Sequence, residues 1–231
     1  MKKKIIVLGL GNFGGNLAMK LTEDGHEVFG VDSNPSRVDM IQNKINHALG
    51  LDASDESCIN YLPIDDCDLV VIAIGENIGA SVTSTAMIKK HFDGRIIVRS
   101  LSPLHKTILE AMQITEIIEP EAEYAHELSN RIMVKGAIKS MELHGEYEIV
   151  EVNIPKKIIG LTLADVDVKK KYKVHIVTVI KQTERKNYLG STYYEKEVHG
   201  ILHSVYQFEE DDLLLVFGKK ENIDRFIEES S

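Results

Sequence analysis

Residues 4–32, KIIVLGLGNFGGNLAMKLTEDGHEVFGVD, allow few beginnings for a fold. A short apolar run, Ile5-Ile6-Val7-Leu8, meets Gly9. Gly9-x-Gly11-x-x-Gly14 follows, then a helical stretch to about Asp24. A second apolar run, Val28–Val31, closes on Asp32. Strand, glycine turn, helix, strand and acid in this order make a dinucleotide-binding fingerprint in its required context. Gly9 allows the sharp turn out of the strand. Gly11 lets a pyrophosphate approach the backbone, and Gly14 lets the helix pack close against the strand. The N–H groups and dipole of the helix start suit phosphate oxygens. Asp32 lies 18 residues after Gly14, near the usual spacing of about 20. Its carboxylate suits ribose hydroxyls and repels a 2′-phosphate, which argues against NADP. The fingerprint does not separate NAD from ATP, ADP or AMP.

The pattern continues in alternation. Asn34-Pro35 opens a second helix, with Asn34 suited to cap it and Val38 and Ile41 inward. His47–Leu49 reads as a short strand, and Ser54 in the loop after it is suited to cap the next helix. Asp52 falls at that strand's C-terminal end, where open parallel sheets bind ligands. Leu69–Ile74 is the continuous apolar run of a strand buried on both faces. A helix over 79–91 is expected to bury Val82, Ala86 and Ile88. Strands at 95–98 and 114–118, with a helix over 104–112 between them, complete an α/β doubly wound, Rossmann-type parallel sheet.

After that the pattern changes. Residues 121–142 read as one long helix with Ala125, Leu128, Ile132 and Ile138 on its apolar face. Strands at 147–154, 174–180 and 213–217, a polar segment at 181–199 and a last helix near 222–228 describe a second, small α+β domain. The expected domains are therefore 1–143 and 144–231.

A net charge of −9 weighs against a nucleic-acid partner. The two cysteines, Cys58 and Cys67, form no CxxC and read as reduced thiols. Met1-Lys2-Lys3-Lys4 leads straight into the first strand without the apolar region of a signal peptide. No apolar run approaches the length of a membrane span, so a soluble chain is expected. His175, His199 and His203 have no evident acid partner, and no catalytic motif accompanies the nucleotide fold. That absence points to nucleotide sensing; a small NAD-dependent oxidoreductase is the alternative. Arg99 ends the fifth strand and suits a phosphate or carboxylate. Glu121, in Glu119-Pro120-Glu121, is either a helix-start acid or a carboxylate holding a divalent metal.

Taken together, these stretches resemble the cytosolic regulatory subunits of bacterial Trk and Ktr potassium uptake systems, with an RCK nucleotide-binding domain followed by a small RCK C-terminal domain. The resemblance runs through Gly9-Leu-Gly-Asn-Phe-Gly14, Asp68-Leu-Val-Val-Ile-Ala-Ile-Gly75, Ile117-Ile-Glu-Pro-Glu121, Ile149-Val-Glu-Val152 and Asp212-Leu-Leu-Leu-Val-Phe-Gly218. It implies homodimers, commonly assembled as a tetramer of dimers in an octameric ring. The ring would sit on the cytoplasmic face of an integral membrane potassium-translocating subunit of the Trk or Ktr type and be switched by ATP and ADP or by NAD and NADH.

By position, the resemblance implies that Gly9, Gly11, Asn12, Phe13 and Gly14 line the phosphates and Asp32 takes the ribose. Asp52 and Ala53 lie near the adenine, Ile74 and Gly75 close the pocket, and Arg99 stands at its edge. Glu121 matches the Glu that helps hold Mg2+ or Ca2+ beside ATP. Asn12 departs from the Arg common in Ktr members and gives up a charge-assisted bond to a terminal phosphate. Some members bind cyclic di-AMP between two C-terminal domains; Ile158, Ile159 and Lys169 are the corresponding positions here, with Lys in place of Arg.

Overall fold

The computed structural model describes residues 2–133, 137–143, 145–186 and 192–230. The chain divides into two compact units, Met1–Pro120 and Glu121–Ser231.

The first unit runs β1 (Lys4–Leu8), α1 (Asn12–Glu23), β2 (Glu27–Asp32), α2 (Pro35–Ile41), β3 (His47–Gly50), β4 (Leu69–Ile72), α3 (Ile78–His91), β5 (Arg95–Arg99), α4 (Pro103–Ala111) and β6 (Glu116–Ile118). The strands form one sheet in the order β3-β2-β1-β4-β5-β6, and every pair is parallel. Alternation along β1 divides the core. Ile5 and Val7 pack with Val28, Ala18 and Ile41, whereas Ile6 and Leu8 pack with Val31, Ile72, Val98 and Leu109. A sheet covered on both faces needs apolar residues at every position, which explains the unbroken runs. The order reverses between β1 and β4, and the crevice at the C-terminal ends of the strands opens there.

The helix starts follow local chemistry. Asn34 accepts from the Ser36 N–H, Asn77 from the Ala80 N–H and Ser102 from the His105 N–H. Ser54 is not a cap. Its amide and hydroxyl both donate to Asp52, and Asp55 caps the following short 3-10 turn through the Ser57 N–H. On α3 the expected apolar face is also displaced. Ala86 is exposed and Val82 only half-buried, while Ser81, Ser84, Thr85 and Ile88 are buried. The hydroxyls of Thr85 and Ser84 donate to the carbonyls of Ser81 and Ala53, so these two small polar side chains are buried with their hydrogen bonds met.

The second unit contains α5 (Pro120–Met133), β7 (Ala137–Glu142), β8 (Tyr147–Asn153), α6 (Leu163–Val166), α7 (Val168–Lys171), β9 (His175–Lys186), β10 (Thr192–Val198), β11 (Asp212–Lys219) and α8 (Lys220–Ser230). Its sheet, in the order β10-β9-β11-β8-β7, is antiparallel throughout. Ile223, Phe226 and Ile227 of α8 join Val150, Val152, Ile176, Leu214 and Val216 in its core.

Three expectations change here. The helix expected over 121–142 stops at Met133, and Ala137–Glu142 instead pairs with β8. Pairing overrides the helical propensity of Ala137, Lys139, Met141 and Glu142. The boundary expected at 143/144 consequently moves back to Pro120/Glu121. The polar segment 181–199 carries the continuation of β9 and the edge strand β10.

Candidate functional site: a cleft at the strand ends

A cleft of about 630 Å³ lies over the C-terminal ends of the parallel strands. Gly9, Gly11, Asn12, Asp32, Asp52, Ala53, Ile74, Gly75 and Arg99, dispersed in sequence, all line it. Phe13 and Gly14 do not. Gly14 faces inward, where a Cβ would stand 1.9 Å from the Gly9 carbonyl oxygen. Phe13 packs against the apolar cluster under α1.

The glycine turn is set by sterics. Gly9 has φ +96°, and a Cβ there would come within 2.8 Å of the Ile74 nitrogen. Gly11 has open space where a Cβ would go, and the cleft wall there is bare backbone at the start of α1. This is the cradle a phosphate needs.

Asp32 is buried, 7% exposed. Its Oδ2 accepts the Leu10 N–H at 2.8 Å and its Oδ1 the Asn34 N–H at 2.8 Å. A carboxylate has about four lone-pair sites, so ribose hydroxyls can still be accepted. Arg37 Nη1 lies 3.6 Å from Asp32 Oδ2, and Nη2 donates to Glu76. Glu76, then Asp32, hold the Arg37 pKa above its ordinary value despite partial burial. Asp52, also lining the cleft, accepts the Ser54 hydroxyl at 2.6 Å and amide at 2.8 Å, which lowers its pKa.

Arg99 is placed by its neighbours. Its guanidinium lies over Gly75, where a Cβ would stand 2.5 Å from Nη1, and 5.7 Å from the centre of the Phe13 ring. Phe13 therefore bears on the cleft through Arg99.

Glu121 is exposed and belongs to the second unit. Among the described residues no group of three or more His, Cys, Asp or Glu is arranged to hold a metal. Arg37, Glu76 and Asn77 also line the cleft and went unnoticed in the sequence. The signal for Asn77 is its capping position directly after Gly75-Glu76. The Arg37–Glu76 pair joins residues 39 apart and has no local signature.

A family model for the TrkA-N domain matches residues 5–120. Ktr system potassium uptake protein C of Bacillus subtilis (strain 168) is 30% identical over 226 residues, 98% of this chain and 96% of that protein. Ktr system potassium uptake protein A of the same strain is 29% identical over 224 residues, 97% and 95% of the two chains. Among solved structures, the GsuK RCK domain matches with a TM-score of 0.61 at 15% identity, covering all of this chain and 49% of that one. The GsuK channel bound to NAD matches with a TM-score of 0.59 at 14% identity, covering 98% and 39%. The chain thus spans about half or less of those structures, and the likeness is one of fold.

Proposed function

This chain belongs to the TrkA-N family, and we propose that it is the nucleotide-sensing subunit that gates a potassium-translocating membrane protein. The match to Ktr system potassium uptake protein C along 98% of the chain carries this reading. The cleft supplies the chemistry. The bare backbone at Gly11 and the start of α1 take a 5′-phosphate, Asp32 accepts from the ribose, and Arg99 faces the terminal phosphate or second nucleotide half. ADP, ATP, NAD and NADH share the adenosine 5′-phosphate this arrangement addresses. Asn12 offers no charge to a third phosphate, which favours the diphosphates.

Binding turns into gating only if two assembly states differ in nucleotide affinity. In this reading homodimers, four to a ring, sit on the cytoplasmic face of the membrane subunit. Among the described residues no helix is long and apolar enough to cross a membrane. Glu121, in the second unit, is the carboxylate proposed for a Mg2+ or Ca2+ ion that accompanies the nucleotide. A cyclic di-AMP site at the second domain has less support. Ile158 is 4% exposed and part of the core, so its side chain serves packing, leaving Ile159 and exposed Lys169 to meet a ligand.

Thermal unfolding with ATP, ADP, AMP, NAD and NADH, with and without Mg2+, tests the sensor. A ligand at a hundredfold its Kd adds about 2.7 kcal/mol. Potassium uptake by transport-deficient bacteria co-expressing the membrane subunit tests the gate. No nucleotide stabilisation in protein freed of co-purified ligand overturns the sensor. Sustained NADH oxidation with a 2-oxo acid or imine would point to the oxidoreductase.

A further inference from the structure

Arg37 lines the cleft. It lies five residues beyond the ribose-side acid, and its guanidinium bridges two carboxylates. Nη1 is 3.6 Å from Asp32 Oδ2, Nη2 donates to Glu76, and all three residues line the cleft. In nucleotide folds of this type, an Arg beside the ribose is what accommodates a 2′-phosphate, because its planar fork matches phosphate oxygens. The cation for that phosphate is therefore present, but already engaged on both sides.

We infer that Glu76, by holding Arg37 against Asp32, makes the cleft select a free ribose 2′-hydroxyl over a 2′-phosphate, with Arg37 as the cation that phosphate would otherwise engage. The inference rests on the nucleotide reading above and specifies its ligand class. Two carboxylates against one guanidinium make the Asp32–Arg37–Glu76 trio net negative. A 2′-phosphate has to displace Glu76 and then stand beside Asp32. Asp32 alone repels it, but altering it frees one or both of the Leu10 and Asn34 amides. Glu76 has no such duty: its side chain is 75% exposed, and an ion pair that open contributes little to stability. Its contribution is to what the cleft admits. Lys44, exposed and also lining the cleft, adds a background attraction common to every variant, so the effect is read as a ratio.

The test uses 5′-AMP and adenosine 2′,5′-bisphosphate, which differ only in the 2′-phosphate, titrated calorimetrically into the full chain. The parent chain is expected to prefer 5′-AMP. Glu76→Gln narrows that preference about tenfold, the size of removing one charge a few ångströms away in a partly solvated site. Adding Arg37→Gln to Glu76→Gln abolishes the gain. An unchanged ratio in Glu76→Gln, or a gain that survives loss of Arg37, overturns the inference while leaving the nucleotide reading intact. A parent chain that binds neither compound, nor ADP or NAD, removes the nucleotide reading and this inference together.

Discussion

Asp32 accepts the Leu10 N–H at 2.8 Å and so ties the end of β2 to the glycine turn after β1. Its other oxygen accepts the Asn34 N–H ahead of α2. One carboxylate thereby organises two walls of the cleft and presents its remaining lone pairs to ligand. Asp32→Ala leaves both amides without their acceptor, at about 1–3 kcal/mol for a buried unsatisfied donor. Urea unfolding is expected to show that loss, together with lost nucleotide binding. Asp32→Asn, which keeps one acceptor oxygen, is expected to lose less. Equal losses in the two variants would mean that these bonds do not hold the turn.

The glycines of the turn have separable duties. At Gly14 a Cβ meets the Gly9 carbonyl oxygen at 1.9 Å and the Ala73 Cβ at 2.9 Å, and neither can move without shifting α1 against the ends of β1 and β4. Gly14→Ala is expected to cost about 1–3 kcal/mol or more, as overpacking against backbone does. At Gly11 nothing lies within 4 Å and φ is −64°, a value any residue adopts. Gly11→Ala is expected to keep or slightly raise the melting temperature, since it removes unfolded-state freedom, yet to weaken nucleotide binding by filling the phosphate cradle. Binding isotherms beside melting curves separate the two effects. A Gly11→Ala chain that binds normally would relocate the phosphate.

What was legible in the sequence is what is local. The first βαβ unit, Asp32 and the Asn34 cap depend on residues within one or two elements. The continuous apolar runs report burial on both faces of a parallel sheet. What was not legible depends on distant partners. Arg37 finds Glu76 across 39 residues. Residues 137–142 look helical by composition and become a strand because β8 is available to pair with them. Ser81, Ser84 and Thr85 look like a solvent face, but the Ser84 and Thr85 hydroxyls are satisfied internally and the small size of all three suits close packing on the sheet.

Arg99 invites a test that leaves its own side chain in place. The atom a Gly75 Cβ would strike is the tip of a flexible side chain, Arg99 Nη1 at 2.5 Å. Gly75→Ala should therefore leave stability nearly unchanged and turn the guanidinium aside. Its loss of ADP affinity should match that of Arg99→Gln. A charged hydrogen bond contributes about 1.5–3 kcal/mol, or roughly tenfold to a hundredfold in Kd. Adenosine, which lacks the phosphates, should bind both variants as it binds the parent. Full ADP affinity in both variants would remove Arg99 from phosphate recognition.

In the second unit, Asp212 has a fully buried side chain. It meets Lys181 Nζ at 2.8 Å, the Tyr206 hydroxyl at 2.9 Å and the Glu209 N–H at 2.9 Å. Asp212→Ala breaks all three and is expected to cost the lower end of about 3–5 kcal/mol, because Lys181 is 30% exposed and can turn to water. Burial opposes the Lys181 charge, but hydrogen bonds to Asp212, Glu209 and Tyr206 outweigh it and raise its pKa. A raised lysine stabilises fully below the unfolded value near 10.4 and loses that contribution as pH climbs beyond it. Denaturant midpoints for the parent should thus fall above about pH 10.4 more steeply than those of Lys181→Met. Parallel curves would show that the pair adds nothing to the alkaline profile.

His105 gives an acid-side dependence of opposite sign. It is fully buried in α4, its Nδ1 accepts the Leu101 N–H at 3.2 Å, and burial lowers its pKa. The unfolded chain, with an ordinary value near 6.5, takes up this proton more readily than the folded one. Stability is therefore complete above about pH 6.5 and falls as the solution is acidified toward the lower folded value. His105→Asn keeps an acceptor oxygen for Leu101 and cannot titrate. It should start less stable, because a buried ring has been replaced by a smaller group, but its melting temperature should decline less between about pH 7 and 5.5. Carboxylates titrate mostly below that window, so parent and variant curves that stay parallel across it would show that the proton is taken up elsewhere.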